Sequence, residues 1–166
     1  MELVAALNAA AIECRFARDQ WVGSAYAVGV TTVSGSCLCG GVRFEVELPF
    51  RRANVFHCSR CRKHSGAHGL VQARVPRERF RLLSGEELIR VYRPEGGKVK
   101  GFCSVCGASL FGHEWPVGDE ISIRLGSLDA DPQIQPEYHT YVESRAPWDE
   151  LADDGLPRYA EGKPGE

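Results

Sequence analysis

No apolar run in this sequence approaches the about 20 residues needed to span a bilayer. That excludes a helical membrane protein. Neither sign of charge dominates. The 20 Lys and Arg balance 22 Asp and Glu for a formal net charge of -2. No basic stripe marks a nucleic-acid binder, so no nucleic-acid partner and no membrane partner are expected. The N-terminal residues Met1 to Ile12 are apolar, but Glu2 stands where a secretory signal carries Lys or Arg, and Asn8 interrupts the run. The reading is that no signal is present and that the protein is cytoplasmic. Internal repeats and low-complexity tracts are absent as well. What remains is a chain of 166 residues, 43% hydrophobic and 25% charged, which is one globular domain's worth.

Two textures divide the chain. In residues 1–33, Leu3, Leu7, Ala10, Cys14, Ala17 and Trp21 recur at helical spacing. They predict a short helical or irregular extension. Beyond it, a domain over residues 34–160 reads as short strands, followed by an irregular tail over 161–166. Val42, Phe44, Val46 and Leu48 alternate with Arg43, Glu45 and Glu47, the pattern of a half-buried strand. Further strands are expected over 69–75, 121–125 and 137–142. Residues 80–83 and 88–92 flank Ser84-Gly85-Glu86-Glu87 and predict a hairpin. The fold class is therefore mainly β, a sandwich or open barrel.

Six of the seven cysteines fall in three close pairs: Cys37 with Cys39, Cys58 with Cys61, and Cys103 with Cys106. In a reducing compartment such pairs favour a metal over disulfides. Zinc takes four ligands in a tetrahedron, and a turn bearing two thiolates supplies half of it. Gly40 and Gly107 directly follow Cys39 and Cys106. A metal knuckle doubles back there, often at positive φ, which glycine adopts at little cost. Three two-pair combinations are open. The glycines favour Cys37, Cys39, Cys103 and Cys106 as a structural zinc site. Cys58 and Cys61 are then left as an incomplete shell, the form a catalytic metal takes. Cys14 reads as a small apolar residue.

Three segments together resemble one family. They are Gly35-Ser36-Cys37-Leu38-Cys39-Gly40-Gly41, His57-Cys58-Ser59-Arg60-Cys61-Arg62-Lys63, and Phe102-Cys103-Ser104-Val105-Cys106-Gly107. The tail Ser144-Arg145-Ala146-Pro147-Trp148 adds to the likeness. The pattern is similar to the glutathione-dependent formaldehyde-activating enzymes, a family that includes centromere protein V. The resemblance implies an Mss4-like β-tent, with Cys37, Cys39, Cys103 and Cys106 on a structural Zn2+. It also implies a second zinc held by Cys-x-Cys-x-x-Cys. Cys58 and Cys61 match the last two cysteines, whereas Phe56 stands at the first. His57, His64 and His68 are the candidate replacements, with His64, three residues past Cys61, the best placed.

The activity implied is a carbon–sulfur lyase on a thiol–aldehyde adduct such as S-(hydroxymethyl)glutathione. Its partners are then a small thiol, glutathione or similar, and an aldehyde. Arg62 and Lys63 are the expected carboxylate-binding residues of the substrate site. The alternative is a non-catalytic structural-zinc interaction module whose second site Phe56 has degraded. A methionine sulfoxide reductase-like enzyme would need a reactive cysteine outside the pairs, and only Cys14 lies there.

Overall fold

The computed structural model describes residues 32–165. The expected helix with Cys14 lies outside them. The first strand, β1 (Thr32–Ser36), pairs antiparallel with β2 (Arg43–Glu47), Val33 opposite Val46. β1 starts before residue 34, so the expected boundary between extension and domain cuts through a strand. In β2 the predicted alternation holds. Phe44 and Val46 are fully buried, while Arg43 and Glu47 face solvent.

β3 (Arg52–Phe56), helix α1 (Ser59–Ser65) and β4 (Leu70–Pro76) follow. Next come β5 (Phe80–Ser84), β6 (Ile89–Tyr92), β7 (Val99–Cys103), β8 (Ser109–His113), β9 (Glu120–Arg124) and the short β10 (His139–Thr140). They form two sheets. One has the order β1-β2-β5, the other β10-β3-β4-β9-β8-β7-β6. β10 runs parallel to β3; the remaining strand pairs are antiparallel. The fold is mainly β, as expected.

The hairpin expected over 80–92 does not form. Both strands exist, but β5 pairs with β2 and β6 with β7, in different sheets. The chain changes sheets at Gly85, whose φ is +80°. A Cβ there would stand 2.4 Å from the Gly41 carbonyl oxygen. Glycine thus lets the crossover press against the Cys39 turn. Residues 161–165 carry no helix or strand and are held against the domain. The Tyr141 N–H donates to the Glu161 carbonyl at 2.9 Å, and the Lys163 ammonium lies 4.4 Å from the Tyr138 ring centre.

Aromatic side chains fill the space between the sheets. Phe44 meets Phe111 edge-on at 5.2 Å and stacks on Phe80 at 5.6 Å, and Phe111 stacks on Trp115 at 4.2 Å. Each such ring contributes about 1.5–3 kcal/mol by leaving water. Among the described residues, no helix is long and apolar enough to cross a membrane.

Candidate metal centre and thiol cleft

The first cysteine pair leaves the end of β1 and the second leaves the end of β7, so the two turns meet across the seam between the sheets. In the first turn, Gly40 has φ +71° and donates its N–H to the Cys37 carbonyl at 2.9 Å. In the second, Gly107 has φ +75° and donates to the Cys103 carbonyl at 2.9 Å. Both glycines adopt the positive φ that the knuckle reading requires.

The sulfurs of Cys37, Cys39, Cys103 and Cys106 all lie within 4.8 Å of one another. Cys37 and Cys39 are 3.4 Å apart, and Cys39 and Cys103 are 3.9 Å apart. A zinc tetrahedron with ~2.3 Å bonds has sulfur–sulfur edges of about 3.8 Å. The Val42 N–H points at Cys37 Sγ from 3.2 Å, offsetting thiolate charge. The set fits a closed zinc site.

Without an ion, protons divide unevenly over the four sulfurs. The Gly41 N–H favours the Cys39 thiolate, but its hydrogen bond to Cys37 and burial prevail and push Cys39 up to about 12. Burial opposes ionisation of Cys106, yet the Ala108 and Cys39 N–H groups and the neighbouring thiols bring it down to about 7. A divalent cation removes this conflict by stabilising all four thiolates.

The middle pair is built differently. Cys58 caps α1, its Sγ accepting the Cys61 N–H at 3.3 Å. Cys61 is buried within the first turn, whereas Cys58 is half-buried. From β7 the buried ammonium of Lys100 reaches Cys61 Sγ at 3.2 Å. The hydrogen bond from the Cys61 thiol, the Cys61 N–H and the Lys100 charge outweigh burial and bring Cys58 down to about 6. Donating that bond to Cys58, together with burial, moves Cys61 upward. Within the pair the proton is drawn toward Cys61 and ionisation toward Cys58.

Among the described residues, no third ligand completes this pair. Phe56 stacks on Tyr141 at 5.9 Å. His64, the best-placed candidate from spacing, bonds Ser109 Oγ at 3.3 Å and lies edge-on to Phe102. His57 is buried against His139, with 2.8 Å between ring nitrogens, and His68 lies 3.3 Å from an Asp149 carboxylate oxygen. Among the described residues, the four-sulfur cluster is the single group of three or more such ligands close enough to share an ion. Charge points the same way. Lys100 and the buried Arg124 already face the pair, and burial drops Arg124 to about 10 while the two cysteines pull it back up. Among the described residues, the second zinc implied by the resemblance has two thiols and no third ligand beside them.

Cys58, Cys61, Phe56, Lys100 and Tyr141 line a cleft of about 690 Å³. A neighbouring hollow of about 510 Å³ shares Lys100 and adds Lys63, His64, Tyr92 and Phe102. Arg60 lines both. Lys63 therefore faces the site, but Arg62 does not. Its guanidinium donates to the His57 and Ser144 carbonyls at 3.3 and 3.1 Å, fastening α1 to the C-terminal segment. Spacing along α1 explains the exchange: residues 60, 63 and 64 share one helical face. Lys100, 39 residues from Cys61, carries no local signal.

Residues 32–144 match the family model of the glutathione-dependent formaldehyde-activating enzyme. The chain belongs to that family. A Halomonas elongata protein whose name assigns it to the same family is 30% identical over 146 residues, spanning 81% of this chain and 90% of that one. A crystal structure of a Rhodobacter sphaeroides protein superposes with a TM-score of 0.49 at 24% identity, covering 76% of this chain and 98% of that one. Against the pattern the resemblance implies, the four-sulfur centre is intact, and Phe56 stands where the middle motif would carry its third thiolate.

Proposed function

We propose that this family member is a carbon–sulfur lyase acting on a thiol–aldehyde adduct of the S-(hydroxymethyl)glutathione class, in the cytoplasm. Family membership supports the reaction type. The observation that carries the site is the Lys100 ammonium 3.2 Å from Cys61 Sγ inside the open cleft. Zinc at Cys37, Cys39, Cys103 and Cys106 serves structure by clamping the two sheets together.

In the cleavage direction the adduct's hydroxyl proton passes to the Cys58 thiolate. The carbon–oxygen bond gains double-bond character and the carbon–sulfur pair leaves with sulfur. The departing thiolate is stabilised by the Lys100 ammonium, a fixed donor in a partly dry site. In the reverse direction the bound thiolate adds to the aldehyde carbon and Cys58 returns the proton. Arg60 and Lys63, beside Tyr92 and Phe102, pair with the carboxylates of a glutathione-like thiol.

Exchange NMR on glutathione and formaldehyde tests this reading. Added wild-type protein should accelerate interconversion, and Cys58→Ser and Lys100→Met should each lose most of the acceleration. No acceleration by folded wild-type protein refutes it. That outcome would favour the second reading, a structural-zinc interaction module, which the Phe56–Tyr141 stack at the third-ligand position supports.

A further inference from the structure

Adjoining the open cleft, with which it shares Phe56, Cys61, Lys98 and Lys100, lies a cavity of about 60 Å³. Its wall includes Cys61, Gln72, Arg74, Lys100, His113 and Arg124. Not one carboxylate is among its lining residues. Arg74 has Glu120 at 3.7 Å, and Lys98, also in the wall, has Glu114 at 3.1 Å.

Lys100 and Arg124 have no such partner. They are 8% and 5% exposed. Lys100 donates to Cys61 Sγ. Arg124 donates only to neutral acceptors: Gln72 Oε1 at 2.6 Å, Ser122 Oγ at 3.2 Å and the Phe111 carbonyl at 3.2 Å. Its Nε–H, buried, has no acceptor at all, and neither does His113 Nδ1. Gly112 makes the packing over the guanidinium possible, since a Cβ there would fall 2.4 Å from Arg124 Nη2. Two buried cations face one cysteine pair, whose single anionic charge offsets only one of them, so a positive charge is left uncompensated. A buried charge is costly without a partner.

We propose that this cavity is a binding site for a small monovalent anion, a formate-sized carboxylate. Its volume equals about two waters' share of the liquid, which admits roughly three heavy atoms and excludes a larger acid. The anion accepts from Arg124 Nε–H and lies beside Lys100. It thereby places a carboxylate next to the ammonium that partners Cys61. Gly101 on β7 and Phe111 on β8 pack closely, and Trp115 just past β8 stacks on Phe111, so the site sits beside well-packed strands.

The test uses the full, zinc-loaded chain with sodium formate, sodium chloride and sodium benzoate at matched ionic strength. Formate should raise the melting temperature saturably, by roughly 3–6 °C at tenfold over its dissociation constant. Saturation-transfer NMR on carbon-13 formate should show direct binding. Benzoate, the same chemistry but too large, should do neither. A chloride effect equal to that of formate would replace the carboxylate assignment with a halide one and overturn it. Lys100→Met should abolish the formate shift, and Arg124→Gln should do the same if it folds. A formate shift that never saturates, matches that of benzoate, or persists in Lys100→Met also overturns the proposal. Because binding is read without turnover, it stands or falls separately from the lyase reading.

Discussion

Replacing Lys100 with methionine removes a buried ammonium whose Nζ lies 3.2 Å from Cys61 Sγ, while keeping most of the side chain's volume. A hydrogen bond to a charged group contributes ~1.5–3 kcal/mol. One pKa unit corresponds to ~1.36 kcal/mol. The cationic partner favours the ionised form, so its loss must move the thiol pair upward, by about one to two units. In the wild type, the Cys61 hydrogen bond, and after it the backbone N–H groups and Lys100, bring Cys58 down to about 6. Iodoacetamide labelling of the peptide containing Cys58, followed by mass spectrometry across pH 4 to 9, reads this directly. The labelling rate should rise through about pH 6 in the wild type and through about pH 7–8 in Lys100→Met. Identical profiles would refute the pairing of Lys100 with the dithiol. So would a profile displaced to lower pH.

Serine at Cys37 or Cys103 should unfold the domain or lower its melting temperature severely, because structural zinc contributes ~10–16 kcal/mol in small peptides against a net stability of about 5–15 kcal/mol. Cys58→Ser should cost about 1 kcal/mol or less by thermal denaturation, since Cys58 is half-buried and its replacement retains a hydrogen-bond acceptor. Phe56→Cys combined with Lys100→Met should create a second zinc site, giving two zinc ions per chain by elemental analysis, whereas Phe56→Cys alone should add less. Gly85→Ala should destabilise the protein by at least ~1–2 kcal/mol in denaturant titration, because φ is +80° and the new Cβ meets the Gly41 carbonyl.

Sequence alone reached the parts of this fold that local chemistry controls. The alternation through Phe44 and Val46 defined β2 because one face is buried and the other wet. Glycine after Cys39 and Cys106 marked the two knuckles because the chain must reverse there at positive φ. The hairpin misreading at Gly85 shows the limit. A glycine-containing loop between two strand-like runs looks the same whether the strands pair with each other or leave for different sheets. β3 escaped notice because Arg52 and Asn54 dilute its apolar character, although Ala53, Asn54 and Val55 are buried between β10 and β4.

The site divides in the same way. Cys37, Cys39, Cys103 and Cys106 were legible because each turn carries its own signature. Adjacency to Cys61 points to Arg62 and Lys63, whereas the helical face of α1 that carries Arg60 with Lys63 has no signal in the spacing of the motif. Lys100 and Arg124 reach the middle cysteines through sheet register. β7 and β9 bring them there from far along the chain, which no spacing rule reveals.

X-ray absorption at the zinc edge, paired with elemental analysis of the purified chain, addresses the central arrangement most directly. One zinc per chain with four sulfur neighbours at about 2.3 Å is the expected result, unchanged in Cys58→Ser. Nitrogen or oxygen in the zinc shell, or a second zinc lost on replacing Cys58, would contradict it.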